Sequence, residues 1–170
     1  MERDGVDEKL EILGRELPQI DLPTEGIVQR IQKLAWRLNR SLNETAAEYG
    51  LSHADWSLLG SLRASGAPYR QAAGKLAEHV SITPGAMTSR LDKLEARGLV
   101  RRVPDADDRR VLQIELTDDG DRIWTEAVAV QAEKERLIAA ALDAREQEEL
   151  NALLRKLMLS TGAEPGSKKG

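Results

Sequence analysis

The chain of 170 residues has no cysteine and no phenylalanine, only two histidines, and an aromatic content of 3%. The absence of cysteine removes disulfide frameworks, thiolate zinc sites, iron–sulfur clusters, cysteine nucleophiles and thiol redox sensors together. His53 and His79 are too few for a metal site, so no metal and no cofactor is expected; each reads as a surface or capping histidine. Long apolar runs are missing too. No uncharged apolar stretch approaches the roughly 18 residues that a bilayer span needs, and no signal-peptide pattern opens the chain. A cytoplasmic protein without a membrane partner is therefore expected. Nucleophile elbows, phosphate-cradling glycine loops and isolated carboxylate pairs are absent as well, so an enzyme is not expected. What remains for a core is Leu, Ile, Val and Ala, which favours packed helices. With 41% hydrophobic and 32% charged residues, the default is one globular domain.

The net charge of −4 is unevenly spread. Residues 1–68 carry 8 Lys/Arg against 11 Asp/Glu, residues 69–110 carry 9 against 6, and residues 111–170 carry 8 against 12. A basic middle flanked by acidic ends fits a polyanion-binding module inside an acidic protein.

Leu10, Leu13 and Leu17 recur at helical spacing, predicting a short amphipathic helix from Val6 to Leu17 that ends at Pro18. Thr24 reads as the N-cap of a long helix with Ile27, Ile31, Leu34, Leu38 and Leu42 as its stripe, running to about Tyr49 before Gly50. Ser52 and Asp55 resemble a capping pair for a helix carrying Trp56, Leu58, Leu59 and Leu62 up to the break at Gly66–Pro68. Gln71–Glu78 is predicted as a short helix. Thr83-Pro84 is a strong start for a helix ending at Arg97, because Thr supplies the capping oxygen and Pro has no N–H to orphan. Leu99–Val103 and Val111–Leu116 read as two strands around the charged run 104–110. Thr117 caps a second long helix with Ile123, Trp124, Ala127, Val128, Gln131 and Ile138, and Asp143 with Glu146 starts the last, carrying Leu150, Leu153, Leu154 and Leu157. Residues 161–170 are expected to form a disordered tail.

This order predicts a mainly α fold with a small β-wing, a winged helix-turn-helix set between long dimerisation helices. The expected organisation is an N-terminal extension with a short helix (1–23), a helical dimerisation region (24–50 and 118–160) and a DNA-binding domain (51–117). In the helix that begins at Pro84, Met87, Leu91 and Leu94 share an inward face. Ser81, Thr83, Pro84, Gly85, Thr88, Ser89, Arg90 and Lys93 are the candidate DNA-facing residues. Small residues at a helix N-terminus let the backbone approach phosphates, and its free N–H groups bind anionic oxygens. Arg90 is expected to reach a base edge.

The run from Ser81 to Arg102, SITPGAMTSRLDKLEARGLVRR, followed by DDRR at 107–110 and LTDDG at 116–120, resembles the MarR family of bacterial transcription factors. The resemblance covers about residues 24–160. It implies a homodimer that presents two winged helix-turn-helices to a pseudo-palindromic double-stranded DNA operator, most often as a repressor. It also implies that Arg109 and Arg110 enter the minor groove from the wing tip while Asp108 braces them. The stretch GRELPQIDL at 14–22 is similar to the extra helix of the urate-responsive, PecS-like branch. Aligned on that branch, Leu13 falls where it has a ligand-contacting tryptophan and Ser57 where it has a ligand-contacting aspartate. The resemblance therefore implies a changed, more apolar pocket for a small organic effector other than urate, lined by Leu13, Trp36, Arg40, Trp56, Ser57 and Tyr69. Trp36 and Trp124 also lie on helix stripes and read as core or interface packing, and Trp56 reads equally as pocket lining or packing. The alternative function is a winged-helix protein–protein module that does not bind DNA.

Overall fold

The computed structural model describes residues 2–80, 83–105 and 111–160; the expected tail at 161–170 lies outside them. The chain divides into two compact units, residues 1–42 and 43–170.

In the first unit, α1 (Gly5–Glu16) is started by a reciprocal capping box between Asp4 and Asp7. α2 (Leu22–Glu48) begins in this unit and runs on into the second. It starts before Thr24, the expected cap. Thr24 instead donates its hydroxyl proton to the Asp21 carboxylate, and Pro23 sits in the first turn, where a missing N–H costs nothing. Arg30 of α2 reaches back to the α1 cap, with Nε 3.0 Å from Asp4 Oδ2 and Nη2 2.6 Å from Asp7 Oδ1. Its guanidinium holds the Asp4 carboxyl below the usual carboxylate range. α1 and α2 approach closely where glycine permits: a Cβ on Gly26 would stand 3.2 Å from Leu10 Cδ1, and one on Gly14 would stand 3.0 Å from Leu22 Cδ1.

The second unit holds the end of α2 followed by α3 (His53–Ala64), β1 (Arg70–Ala72), α4 (Ala73–His79), α5 (Pro84–Ala96), β2 (Val100–Pro104), β3 (Leu112–Leu116), α6 (Asp118–Ala139) and α7 (Ala144–Ser160). The three strands form an antiparallel sheet in the order β1-β3-β2, with Arg70 opposite Glu115 and Val100 opposite Leu116. Strand β1 corrects the expected helix from Gln71. Pairing with β3 claims Arg70–Ala72, so α4 starts only at Ala73, and without a side-chain cap. The core between the helices and the sheet is aliphatic: Leu58, Leu59 and Leu62 of α3, Leu76 of α4, Met87, Leu91 and Leu94 of α5, and Leu99, Val100, Ile114 and Leu116 from the sheet region. Reciprocal caps at Ser52/Asp55 and Asp143/Glu146 and single caps at Thr83 and Thr117 start four of these helices where the sequence places them.

Not every apolar stripe is covered. α7 has no buried residue, and Leu150, Leu153, Leu154 and Leu157 are exposed, as are Ile27, Val28, Ile31, Leu34 and Leu38 of α2. Among the described residues, no helix is long and apolar enough to cross a membrane, and no group of three potential metal ligands occurs.

Candidate nucleic-acid interface

Burial of Met87, Leu91 and Leu94 fixes the rotation of α5 about its axis. Thr83 caps the helix by accepting from the Ala86 N–H at 3.3 Å, and Pro84 occupies its first position. Gly85, Thr88, Ser89 and Lys93 are all exposed. Among the described residues, nothing lies within 4 Å of a Cβ built on Gly85, which leaves the backbone open at that position. Exposed N–H groups, hydroxyls and one ammonium thus share the outer side of α5, the chemistry that meets phosphates and base edges.

The other charged groups of α5 are engaged within the protein. Arg90, expected from the sequence to reach a base edge, turns to the start of α3. Its Nη1 donates to Ser52 Oγ at 2.6 Å and to Asp55 Oδ1 at 2.7 Å. Burial pushes the Asp55 carboxyl up, but hydrogen bonds from the Ser52 N–H and hydroxyl and from Arg90 outweigh it and leave the carboxyl below its ordinary value. Asp92 and Glu95 bind Arg102 of β2, Asp92 at 2.6 Å, and Glu95 also accepts from the Arg102 N–H at 3.0 Å. Arg97 reaches the carbonyls of Tyr49 and Gly50. Lys93 has no carboxylate partner among the described residues.

The paired strands β2 and β3 project beside α5, as expected of a wing. They stay in register to Pro104 opposite Leu112, and the Asp105 N–H closes on the Val111 carbonyl at 3.1 Å. Asp108, Arg109 and Arg110 of the tip, and Ser81 before α5, lie outside the described residues. At the base of the wing, Glu115 of the central strand is 5% exposed and takes an arginine from each side: Arg70 Nε at 2.7 Å and Arg101 Nε at 2.8 Å, each guanidinium closing a second bond. Burial disfavours the charge on Glu115, but the two arginines more than offset this and lower its pKa. Sequence reasoning missed Arg70, Arg101 and Glu115, because the helix expected from Gln71 covers two of the three β1 residues and the strand register that brings the three together is not visible in the sequence.

The expected pocket residues fall in both units. Leu13 is half-buried on α1, and Trp36 of α2 is 61% exposed with the Arg40 guanidinium 5.7 Å from its ring centroid. In the second unit, Trp56 packs against the core with its ring centroid 6.3 Å from that of Trp124. Ser57 donates to the His53 carbonyl at 3.0 Å. Tyr69 lies under the Arg63 guanidinium, 4.2 Å from the ring centroid. His53 pairs with Asn43 at 3.2 Å, and His79 with Gln71 at 3.1 Å.

A model of the MarR family matches residues 51–112. The HTH-type transcriptional regulator PecS of Dickeya dadantii (strain 3937) is 32% identical over 139 residues, 82% of this chain and 84% of PecS. The HTH-type transcriptional repressor MdtR of Bacillus subtilis (strain 168) is 29% identical over 113 residues, 66% of each chain. Among solved structures, a MarR variant from E. coli complexed with operator DNA is similar with a TM-score of 0.64 and 25% identity, over 85% of this chain and 96% of that one.

Proposed function

This chain belongs to the MarR family of transcriptional regulators, and from that membership we propose that it is a homodimeric, sequence-specific DNA-binding repressor released from its operator by a small organic ligand. The observation that carries the DNA-reading part is the outer side of α5. The charged side chains Arg90, Asp92, Glu95 and Arg97 turn to α3, to the wing and to the end of α2, while Gly85, Ser89 and Lys93 stay exposed at and after the helix N-terminus. Thr88 and Ser89 read base edges, Lys93 and the N-terminal amides hold phosphates, and Arg109 and Arg110, braced by Asp108, extend the contact into the next minor groove. The names of PecS and MdtR and the operator complex of the MarR variant support this reading.

Homodimerisation accounts for the uncovered stripes of α2 and α7, since a contiguous apolar surface left in water favours association. The effector acts by population shift. It binds better to the arrangement of DNA-reading lobes that cannot meet successive major grooves, and it lowers DNA affinity by that differential affinity alone. Leu13 offers no ring N–H, and the Ser57 hydroxyl is engaged with His53 and carries no charge. The proposed effector is accordingly apolar or weakly acidic, and not urate.

The test is fluorescence anisotropy of a labelled duplex selected by the wild-type protein from a randomised pool. Lys93→Ala and Arg109→Ala are expected to flatten the salt dependence by about one counterion per lost contact. Salicylate-like acids are expected to release the duplex at lower concentration than urate. Salt slopes unchanged in both variants would contradict the assignment of the surface, and release by urate at low micromolar concentration would contradict the pocket.

A further inference from the structure

The end of α5 meets the end of α2, and the residue that joins them is Arg97. α2 closes at Glu48 with the hydrogen bonds of a Schellman motif: the Leu51 N–H donates to the Ala46 carbonyl at 2.8 Å and the Gly50 N–H to the Ala47 carbonyl at 2.9 Å. Gly50 supplies the left-handed backbone this closure needs, at φ +66°. These bonds use the carbonyls of Ala46 and Ala47. The Tyr49 and Gly50 carbonyls, just past the last helical residue, point to Arg97, whose Nη1 donates to Gly50 at 2.6 Å and Nη2 to Tyr49 at 3.2 Å. The last turn of α2 holds no basic residue of its own, although a helix C-terminus collects partial negative charge. Cations come from elsewhere instead: Lys134 of α6 meets the side chains of Thr45 at 2.7 Å and Glu48 at 3.5 Å, while Arg97, the C-cap of α5, meets the backbone. A planar guanidinium can span two adjacent carbonyls as a fixed fork, which an ammonium cannot.

Arg97 is not the only link to this corner. Arg90, two helical turns earlier on α5, binds Ser52 and Asp55 at the start of α3. The segment Tyr49–Ser52, where α2 hands over to α3, is thus gripped from α5 on both sides of Leu51, itself buried in the core.

We propose that Arg97 is a positioning residue for DNA recognition: by completing the C-terminus of α2 it fixes the direction of α5, so that α5 follows the α2–α3 corner instead of moving freely against DNA. This role presupposes the DNA-reading function proposed above. A phosphate-binding arginine would act differently, adding affinity for any duplex and steepening the salt dependence.

The test uses the full chain with Arg97→Ala and Arg97→Lys. It compares amide hydrogen exchange of the free protein at residues 45–51 with affinity for the selected duplex and for a scrambled one across a salt series. For Arg97→Ala, faster exchange at the Gly50 and Leu51 amides is expected. Affinity for the selected duplex should fall roughly tenfold, as each of two protomers loses one charge–dipole contact. The salt slope and the affinity for scrambled DNA should not change. Arg97→Lys should restore part of the loss. A shallower salt slope with equal losses on both duplexes would make Arg97 a phosphate ligand and overturn the proposal; unchanged exchange and affinity would overturn it too. If Arg97→Ala fails to melt cooperatively, Arg97→Lys decides alone, since it keeps the charge but not the fork. A wild-type protein that selects no duplex removes the DNA-reading function itself, while the exchange measurement still reports whether Arg97 holds the corner.

Discussion

Replacing Gly120 by alanine inserts one methyl group where the backbone leaves no room. Gly120 is in the first turn of α6, and a Cβ there would stand 2.0 Å from the Leu99 carbonyl oxygen and 2.9 Å from Leu116 Cδ1. The Leu116 side chain can give way at its tip. The Leu99 carbonyl cannot, because it accepts from the Thr117 N–H at 3.2 Å, while Thr117 Oγ1 donates to the Gly98 carbonyl at 2.6 Å and accepts from the Gly120 N–H at 3.0 Å. Relief therefore means lifting α6 by about 1 Å off the loop before β2, at an overpacking cost of about 1–3 kcal/mol or more. Alanine's better helix propensity returns only about 1 kcal/mol. Loss of the Thr117 cap, worth about 1 kcal/mol, adds to the cost. The last two nearly cancel, so Gly120→Ala should destabilise the protein by about 1–3 kcal/mol or more. Gly74 on α4 is the control: nothing lies within 4 Å of its built Cβ, so Gly74→Ala should stabilise by about 0.5–1 kcal/mol. Urea unfolding of both variants at one protomer concentration measures the difference. Equal stability of Gly120→Ala and Gly74→Ala would refute the reasoning.

Two carboxylates give further expectations. Asp55→Ala removes half of the α3 capping box and the partner of Arg90, and should cost about 1–3 kcal/mol near neutral pH. Because the folded-state pKa of Asp55 lies below its ordinary 3.8, this contribution is complete above that value and fades as pH falls through the lowered one. A carboxyl titration followed by NMR with a midpoint at or above 3.8 would contradict it. Glu115→Ala leaves Arg70 and Arg101 facing an empty site; since both arginines keep solvent access, a loss of about 1–3 kcal/mol is expected in thermal unfolding, and an unchanged melting temperature would count against the clamp.

Where the fold was legible, a local rule was strong enough to act alone. Ser52 with Asp55, Thr83 with Pro84, Thr117, and Asp143 with Glu146 each start a helix through bonds made within four residues. The inward stripe Met87, Leu91 and Leu94 followed from spacing in the same way. Strand β1 was not legible, because three residues before an alanine-rich helix carry no period and its partner β3 lies more than forty residues away. The start of α2 was misplaced because Thr24 and Asp21 can both serve at a helix start, and only the structure shows Thr24 donating to Asp21. The candidate interface was legible as a surface but not as a set of partners. The sequence shows Arg90 on α5 and Arg97 at its C-terminal end, yet which carboxylate or carbonyl each one meets depends on α2 and α3, about forty residues earlier.

The central claim, that α5 and the wing read DNA as one half of a symmetric dimer, is tested most directly by selecting duplexes from a randomised pool with the full chain and measuring the mass of the complex. The expected result is an enriched inverted repeat with half-site centres about 10–10.5 base pairs apart and two protomers bound per duplex. A pool that shows no enriched sequence, or a single protomer bound to an asymmetric site, would contradict it.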